Sequence, residues 1–479
     1  MAERAGYLPG LDPAALHWET LTFGRTGESL AVEVPVLGAD DMARLAGHVR
    51  QQAAEHLRPR PVARVVEAVD AAIARLLDRQ DPYRQKMEDL LPAITGYDRE
   101  MVRLGLTQYL QTFRKPELLR FLAEDFPNPA ILDDFQPLAK GGLGKAFGPP
   151  VLAHIWAGNV PGLPLWSLVS GLLVKAGNIG KVPSAEPLFA TWFAQLLAEV
   201  APDLAGCLAV VWWQGGEEEP ERALLQAADL TLAYGGNDSL AAIQGRMPAG
   251  KRFLAYGHKV SFAMIAAAAL DPAKTGDIAR RAAHDIARYD QQGCFAPHVV
   301  FVERGGAIPP GTFARYLGRE LAAFGQRYPR RNLTMAEANS VAAWRQQEEF
   351  TLTGEVLGDD TGTWSVSYHE SAAGFGPSCL NRSVRVVAVD DLAHVPALVA
   401  PYRALLQTAG IAAPPGDLVR LAAALGEAGV TRIAALGDMT APEAGWHHDG
   451  RFNLLDLVQI CEIDARAEAA ADRLARYAD

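Results

Sequence analysis

Hydrophobic positions in the first third of the chain fall into two textures. Between residues 18 and 36, Leu30, Val32 and Val34 alternate with other positions and Thr26-Gly27 supplies a turn, which predicts a hairpin. From 62 to 77 the period changes. Val62, Val65, Val66, Val69, Ile73, Leu76 and Leu77 recur three and four apart, the spacing of one helix face. Asp98 offers an N-cap for a further helix running to about residue 113.

From residue 150 short uncharged runs at 151–157, 178–183, 207–214 and 231–235 alternate with helical patterns at 162–177, 186–199, 219–228 and 238–246. Strand and helix repeating in this way predict an α/β fold with a parallel sheet covered on both faces. Such a sheet opens a ligand crevice at the carboxyl ends of its strands. A second lobe is expected to begin near 251, with strands at 252–256 and 260–266, a helix over 273–288 and a strand at 298–303. Residues 462–479 read as a charged terminal helix.

Composition narrows the function classes. The 479 residues are 49% apolar and 21% charged, enough for a sizeable core. Their 45 basic and 56 acidic side chains give a net charge of −11, which disfavours nucleic acid and anionic membrane as partners. The four cysteines, Cys207, Cys294, Cys379 and Cys461, contain no C-x-x-C, which excludes common zinc spacings and fits a reducing compartment. The first residues lack the apolar core of a secretory signal, so a cytoplasmic location is expected. The uncharged stretch between Lys145 and Lys175 is broken by Pro149, Pro150, Pro161 and Pro164, against an integral membrane span.

Candidate chemistry sits on loops. Tyr289-Asp290-Gln291-Gln292-Gly293-Cys294 joins a helix to a strand and mounts a thiol between two rigid elements, although a lone cysteine also reads as a small buried hydrophobe. Asn159 follows the first parallel strand, where its amide could donate to an oxyanion or simply form a turn. Lys181 and Ser184 follow the second strand, within reach of the ribose or phosphates of a dinucleotide, or in solvent. Tyr234-Gly235-Gly236-Asn237-Asp238-Ser239 leads from a strand into a helix, so its N–H groups could face a pyrophosphate; plain turn chemistry is the other reading. Gly142-Leu143-Gly144-Lys145 with Gly148 lacks both phosphate-loop spacings and precedes its strand. His447-His448-Asp449 has no further ligand set, so no metal site is expected. Trp156, Trp166, Trp212 and Trp213 are candidate pocket walls or core.

Taken in order, Gly158-Asn159-Val160-Pro161, Lys181-Val182-Pro183-Ser184, Tyr234-Gly235-Gly236, Tyr256-Gly257-His258-Lys259-Val260-Ser261 and Gln292-Gly293-Cys294 resemble the aldehyde dehydrogenase superfamily. More closely they are similar to its acyl-CoA reductase branch, typified by the fatty-acid reductase component of bacterial bioluminescence, over roughly residues 95–460. The resemblance implies an aldehyde-dehydrogenase-like fold, a Rossmann-type cofactor domain plus an α/β catalytic domain. On that reading 1–149 is an N-terminal hairpin and helices, 150–250 the dinucleotide-binding sheet, 251–440 the catalytic thiol domain and 441–479 a closing segment and helix. It implies Cys294 as nucleophile, and Asn159 with the Cys294 N–H as oxyanion donors. Lys181 and Ser184 would meet the adenosine side of the cofactor, and Gly235, Gly236 and Ser239 its pyrophosphate and nicotinamide.

The implied activity is NAD(P)H-dependent reduction of an acyl thioester, long-chain acyl-CoA or carrier-bound acyl, to an aldehyde through a cysteine acyl-enzyme. NADPH is the expected cofactor with NADH the alternative, Glu186 opposing a 2′-phosphate if it points inward. An acyl-transferring protein partner and a homo-oligomer are expected by the same resemblance. Two departures stand out. Ala255 occupies the position of the carboxylate that activates water in aldehyde-oxidising members, and Ala373 that of a ribose-binding glutamate. The alternatives are an acyl-phosphate reductase, a CoA-acylating aldehyde dehydrogenase, or a non-catalytic member that binds an acyl group or a partner.

Overall fold

Alternation along the N-terminal segment becomes a small sheet. In the computed structural model, which describes residues 3–25, 28–350, 354–371 and 375–475, β1 (Glu3–Arg4) lies parallel to β3 (Glu28–Val36), which pairs antiparallel with β2 (His17–Arg25). Val32 and Val34 point into the core; the expected turn at Thr26-Gly27 lies outside the described residues. Five helices follow: α1 (Ala39–Gln52), α2 (Val62–Leu77), α3 (Pro82–Thr95), α4 (Arg99–Gln111) and α5 (Lys115–Asp125). Helix α2 has the expected bounds and buries the expected face, Val62, Val65, Val66, Val69, Ile73 and Leu76. Asp98 caps α4, its carboxylate accepting the Glu100 N–H at 2.8 Å.

The strands β4 (Gln136–Pro137) and β5 (Leu143–Phe147) lead into the first large sheet. Its strands are β6 (Val151–Ile155), β7 (Gly177–Lys181), β8 (Leu208–Val211), β9 (Leu230–Tyr234) and β10 (Arg252–Tyr256), all parallel, in the order β10-β9-β6-β7-β8. Helices α6 (Pro164–Leu173), α7 (Phe189–Val200), α8 (Glu218–Ala227) and α9 (Asn237–Arg246) form the connections. The strand order reverses between β6 and β9, so the loops after these two strands flank the crevice where such sheets bind ligands. Residues 252–256, read as opening the second lobe, instead pair with β9 and close the edge of the first sheet.

The second sheet holds β11 (Val260–Ile265), β12 (Pro297–Glu303), β13 (Gly354–Gly358), β14 (Ser365–His369), β15 (Ser383–Val389), β16 (Leu406–Ala412) and β17 (Arg432–Ala435), in the order β13-β14-β15-β12-β11-β16-β17. Only β13 runs antiparallel to its neighbour. Helices α10 (Thr275–Ala287), α11 (Pro310–Arg327), α12 (Met335–Glu349), α13 (Val395–Val399) and α14 (Pro415–Ala428) accompany it. Val300, Val302 and Phe313 fill the core on one face, and Phe262, Phe301 and Leu421 fill the other.

The chain end departs from the expected single helix over 462–479. Residues Gln459–Ile463 form β18, antiparallel to β5, and helix α15 (Ala465–Asp472) follows. This pairing explains one of the glycines dismissed as a phosphate loop. Gly142 has φ +76°, and a Cβ there would sit 2.2 Å from the Ile463 carbonyl oxygen, so the glycine admits a neighbouring strand. No helix among the described residues is long and apolar enough to cross a membrane.

Candidate active site

The thiol is delivered by strained backbone. After α10, Tyr289, Asp290 and Gln291 take φ of 48°, 51° and 65°, a left-handed run costing about 1–2 kcal/mol per residue. Opposite them Leu380, Asn381 and Arg382 are also left-handed, with φ of 62°, 56° and 66°. The two stretches hold each other. Arg382 Nε donates to Asp290 Oδ1 at 2.7 Å, the Asn381 N–H to the Asp290 carbonyl at 3.0 Å, and the Arg331 N–H to Asp290 Oδ2 at 3.0 Å. Gln291 Nε2 donates to the carbonyls of Pro297 and Ser383 at 2.9 and 3.0 Å, and its Oε1 accepts the Ser383 N–H at 2.8 Å. Tyr289 enters helix α4 where Gly105 has no side chain; a Cβ there would lie 1.7 Å from its hydroxyl. Cys294 follows on this clamped support, its carbonyl accepting the Ser261 hydroxyl at 2.7 Å.

Cys294, Asn159, Gly235 and Gly236 line a single cavity of about 450 Å³ at the switch-point crevice. The Asn159 amide donates to the Gln292 carbonyl at 2.7 Å, two residues before the thiol. The buried Tyr97 hydroxyl lies 3.0 Å from the Asn159 carbonyl and 3.1 Å from that of Tyr289, tying both loops to the start of α4. Burial, with the Asp290 charge adding to it, raises the Tyr97 pKa, so it remains a donor. Aromatic rings wall the cavity. Tyr256 stacks on Tyr234 at 5.0 Å and on His448 at 4.5 Å, and Trp166 and Tyr109 complete this side. Of the four tryptophans considered as walls, Trp166 lines the cavity; Trp156, Trp212 and Trp213 are buried in the core.

Lys181, Ser184 and Ser239 are absent from the cavity lining; Lys181 ends β7, Ser184 lies on the loop after it and Ser239 is in α9. The Lys181 ammonium lies 5.7 Å over the Trp213 ring, and burial lowers its pKa against the pull of Glu221 and Glu217. Ser184 is exposed and accepts the Trp212 indole N–H at 3.0 Å. Ser239 is exposed in the first turn of α9. Glu186 does not stand at this rim. It is buried in the protein interior instead, accepts the N–H groups of Leu188 and Phe189 at 3.0 and 2.9 Å at the start of α7, and burial pushes its carboxyl up to about 7.

The carboxylate position also differs from expectation. Ala255 packs beside the cluster of Ile155, Ala233, Leu240 and Ile243, away from the cavity, and Tyr256 provides the wall. None of the described residues lining the cavity is Asp or Glu. Ala373 lies outside the described residues. In the sequence His447-His448-Asp449, His447 packs on Phe452, His448 stacks on Tyr256, and Asp449 Oδ1 accepts from Gln407 Nε2 at 2.7 Å.

Burial pushes the Cys294 thiol up to about 11; the Gln407 amide pulls it down, Asp449 raises it, and Arg432 lowers it. His298, also lining the cavity, accepts the Ser378 N–H on Nδ1 at 3.0 Å, which puts its proton on Nε2. Burial holds its pKa down to about 4, so it is a neutral donor. Gln407, Asp449, His298 and Tyr97 are members of this site that motif spacing does not reveal.

A sequence profile for acyl-CoA reductase (LuxC) matches residues 57–460. The chain belongs to the acyl-CoA reductase (LuxC) family. Among curated relatives, long-chain acyl-protein thioester reductase 2 of Photobacterium leiognathi is 27% identical over 369 residues, 76% of this chain and 74% of that one. The long-chain acyl-protein thioester reductase of Aliivibrio fischeri is 26% identical over 374 residues, 77% of this chain and 75% of its own. Solved structures establish the aldehyde-dehydrogenase-like fold. An indole-3-acetaldehyde dehydrogenase complexed with NAD+ superposes with a TM-score of 0.74 at 17% identity, covering 97% of this chain and 96% of that one. An NADP-dependent glyceraldehyde-3-phosphate dehydrogenase from Bacillus halodurans, complexed with NADP, gives 0.73 at 13%, covering 97% and 100%. Family membership makes the protein an oxidoreductase of acyl groups and gives its cysteine cavity a chemical context.

Proposed function

We propose that this protein reduces a long-chain acyl thioester, carried on coenzyme A or on a protein, to the aldehyde with NADPH. The observation that carries the reading is the absence of any carboxylate among the described residues lining the cavity that holds Cys294 and Asn159. A thioester formed there meets no carboxylate base to activate water, which favours its persistence for reduction. Cys294 as thiolate attacks the acyl carbonyl; the carbon–sulfur bond to the carrier breaks and the carrier thiol leaves with a proton. The Asn159 amide and the Cys294 N–H donate to the oxyanion that develops on the acyl oxygen. After reduction the carbon–sulfur bond to Cys294 breaks, releasing aldehyde and returning the thiol.

The residues present fit a dinucleotide. Gly236 precedes α9 with no side-chain cap, and a Cβ on it would meet nothing within 4 Å, leaving the helix N-terminus open to a pyrophosphate. When bound, the nicotinamide supplies the hydride. Gly235, Gly236 and Ser239 would hold its phosphate side, and Lys181 with Ser184 its adenosine. With Glu186 buried against the start of α7, away from the rim, and Ser184 exposed, no carboxylate on the loop after β7 opposes a 2′-phosphate, which supports NADPH over NADH. An acyl-donating protein partner belongs to the same reading, supported by the acyl-protein substrates in the relatives' names, and self-association and a cytoplasmic setting are proposed with it.

The test is product analysis with NADPH and long-chain acyl-CoA, acyl phosphate, or aldehyde plus coenzyme A as separate substrates. Aldehyde from the thioester, with little free acid, supports the reading. Aldehyde from acyl phosphate alone overturns the thioester, and acid as the main product overturns the missing-base argument.

A further inference from the structure

Strand β11 is out of register with both neighbours at the same place. Ser261 and Phe262 face Pro297 and Val299, so His298 is an extra residue on β12; Val260 and Phe262 face Leu406 and Ala409, so β16 also carries one extra residue at Gln407-Thr408. Bulges of this kind re-aim side chains next to functional sites. Between them Ser261 ties the second bulge to the thiol-bearing residue: its hydroxyl accepts the Thr408 N–H at 3.1 Å and donates to the Cys294 carbonyl at 2.7 Å.

We propose that Gln407, oriented by Asp449, is the hydrogen-bond donor that sets the reactivity of the Cys294 thiolate. The inference rests on Cys294 being the nucleophile of the proposed function. Gln407 is fully buried and lines the cavity with Cys294. A carboxylate only accepts, so the contact at 2.7 Å from Gln407 Nε2 to Asp449 Oδ1 fixes which end of the amide carries the N–H groups. One N–H is used by Asp449 and the second is free for sulfur; Gln407 Oε1 has no partner among the described residues. Asp449 is itself held in a left-handed turn at φ 54°, with Lys259 Nζ 3.8 Å from its Oδ2. Arg432 and Asp449 are the charged groups felt by the thiol, and Lys259, Arg288, His258, His298 and His448 also face or border this part of the cavity.

The arrangement gives two variants opposite signs. Gln407→Leu removes the donor and leaves the thiolate less stabilised. Asp449→Asn keeps an acceptor for Gln407 Nε2 and removes a negative charge that disfavours the thiolate.

The experiment is the rate of Cys294 carbamidomethylation by iodoacetamide at pH 8, followed by peptide mass in a Cys461→Ser background that removes the exposed thiol. Gln407→Leu is expected to slow the reaction about tenfold and Asp449→Asn to speed it a few-fold. Gln407→Met serves if the leucine variant misfolds, with thermal melting as the check on folding. A rate within twofold of wild type without the amide overturns the proposal. So does slowing in both series, the pattern of a merely structural contact. Alkylation needs no acyl donor, so failure of acyl transfer would strike the proposed function and leave this result readable.

Discussion

Removing Arg382 tests how the nucleophile loop is held. Its guanidinium and the Asp290 carboxylate are each 1% exposed and 2.7 Å apart, and Arg382 Nη2 also donates to the Tyr328 carbonyl at 2.8 Å. In Arg382→Leu the Asp290 charge stays buried, with the Arg331 N–H left as its donor. Breaking one side of a buried pair costs about 3–5 kcal/mol, because the remaining charge is uncompensated. That exceeds the strain of any one left-handed residue in the loop, so the loop is expected to relax before the sheet unfolds. Combining Asp290→Asn with Arg382→Leu removes the stranded charge while keeping an acceptor for Arg331 and a residue that tolerates positive φ. The double variant is therefore expected to recover at least half of the loss. Urea unfolding of the wild type, both single variants and the double variant closes the cycle. A cost below about 1 kcal/mol for Arg382→Leu, or a double variant as unstable as the sum of the singles, refutes the clamp.

Three further outcomes follow from the site. Asn159→Ala is expected to slow both acylation and reductive discharge by about 10²–10³, with iodoacetamide reactivity of Cys294 retained; equal loss of all three would point to a collapsed loop. Glu186 has its pKa raised from 4.5 to about 7, so the folded state holds the proton more tightly and stability falls as pH rises through that window, by about 3 kcal/mol. Glu186→Gln keeps the acceptor for the α7 N–H groups, so thermal melting should show it more stable than wild type at pH 8 and equal to it near pH 4.5; a pH-independent difference refutes this. Ser184→Glu sets a carboxylate on the loop that follows Lys181 and is expected to lower the ratio of kcat/KM for NADPH over NADH by at least about tenfold; an unchanged ratio removes the loop after β7 from cofactor choice.

Much of this architecture was legible because strong periodicity and turn chemistry agree. The face of 62–77, the four strand-helix alternations after 150, and the loops carrying Asn159, Gly235, Gly236 and Cys294 all follow from local pattern. What escaped depends on partners distant in sequence. Residues 252–256 look alike whether they end one sheet or open the next, and pairing with β9 decides it. Strand β18 is an exposed edge with no buried side chain, so burial imposes no hydrophobic alternation on it. Gln407 and His298 reach the cavity through register shifts against β11, which leave no mark in either strand's own sequence. The burial of Glu186 and the packing of Ala255 away from the cavity are likewise decided by tertiary contacts.

The covalent mechanism is tested most directly by intact mass after mixing wild type and Cys294→Ala with long-chain acyl-CoA in the absence of nicotinamide. One acyl adduct is expected on wild type only, stable in water and discharged to aldehyde when NADPH is added. No adduct with any thioester, or an equal adduct on Cys294→Ala, would contradict it.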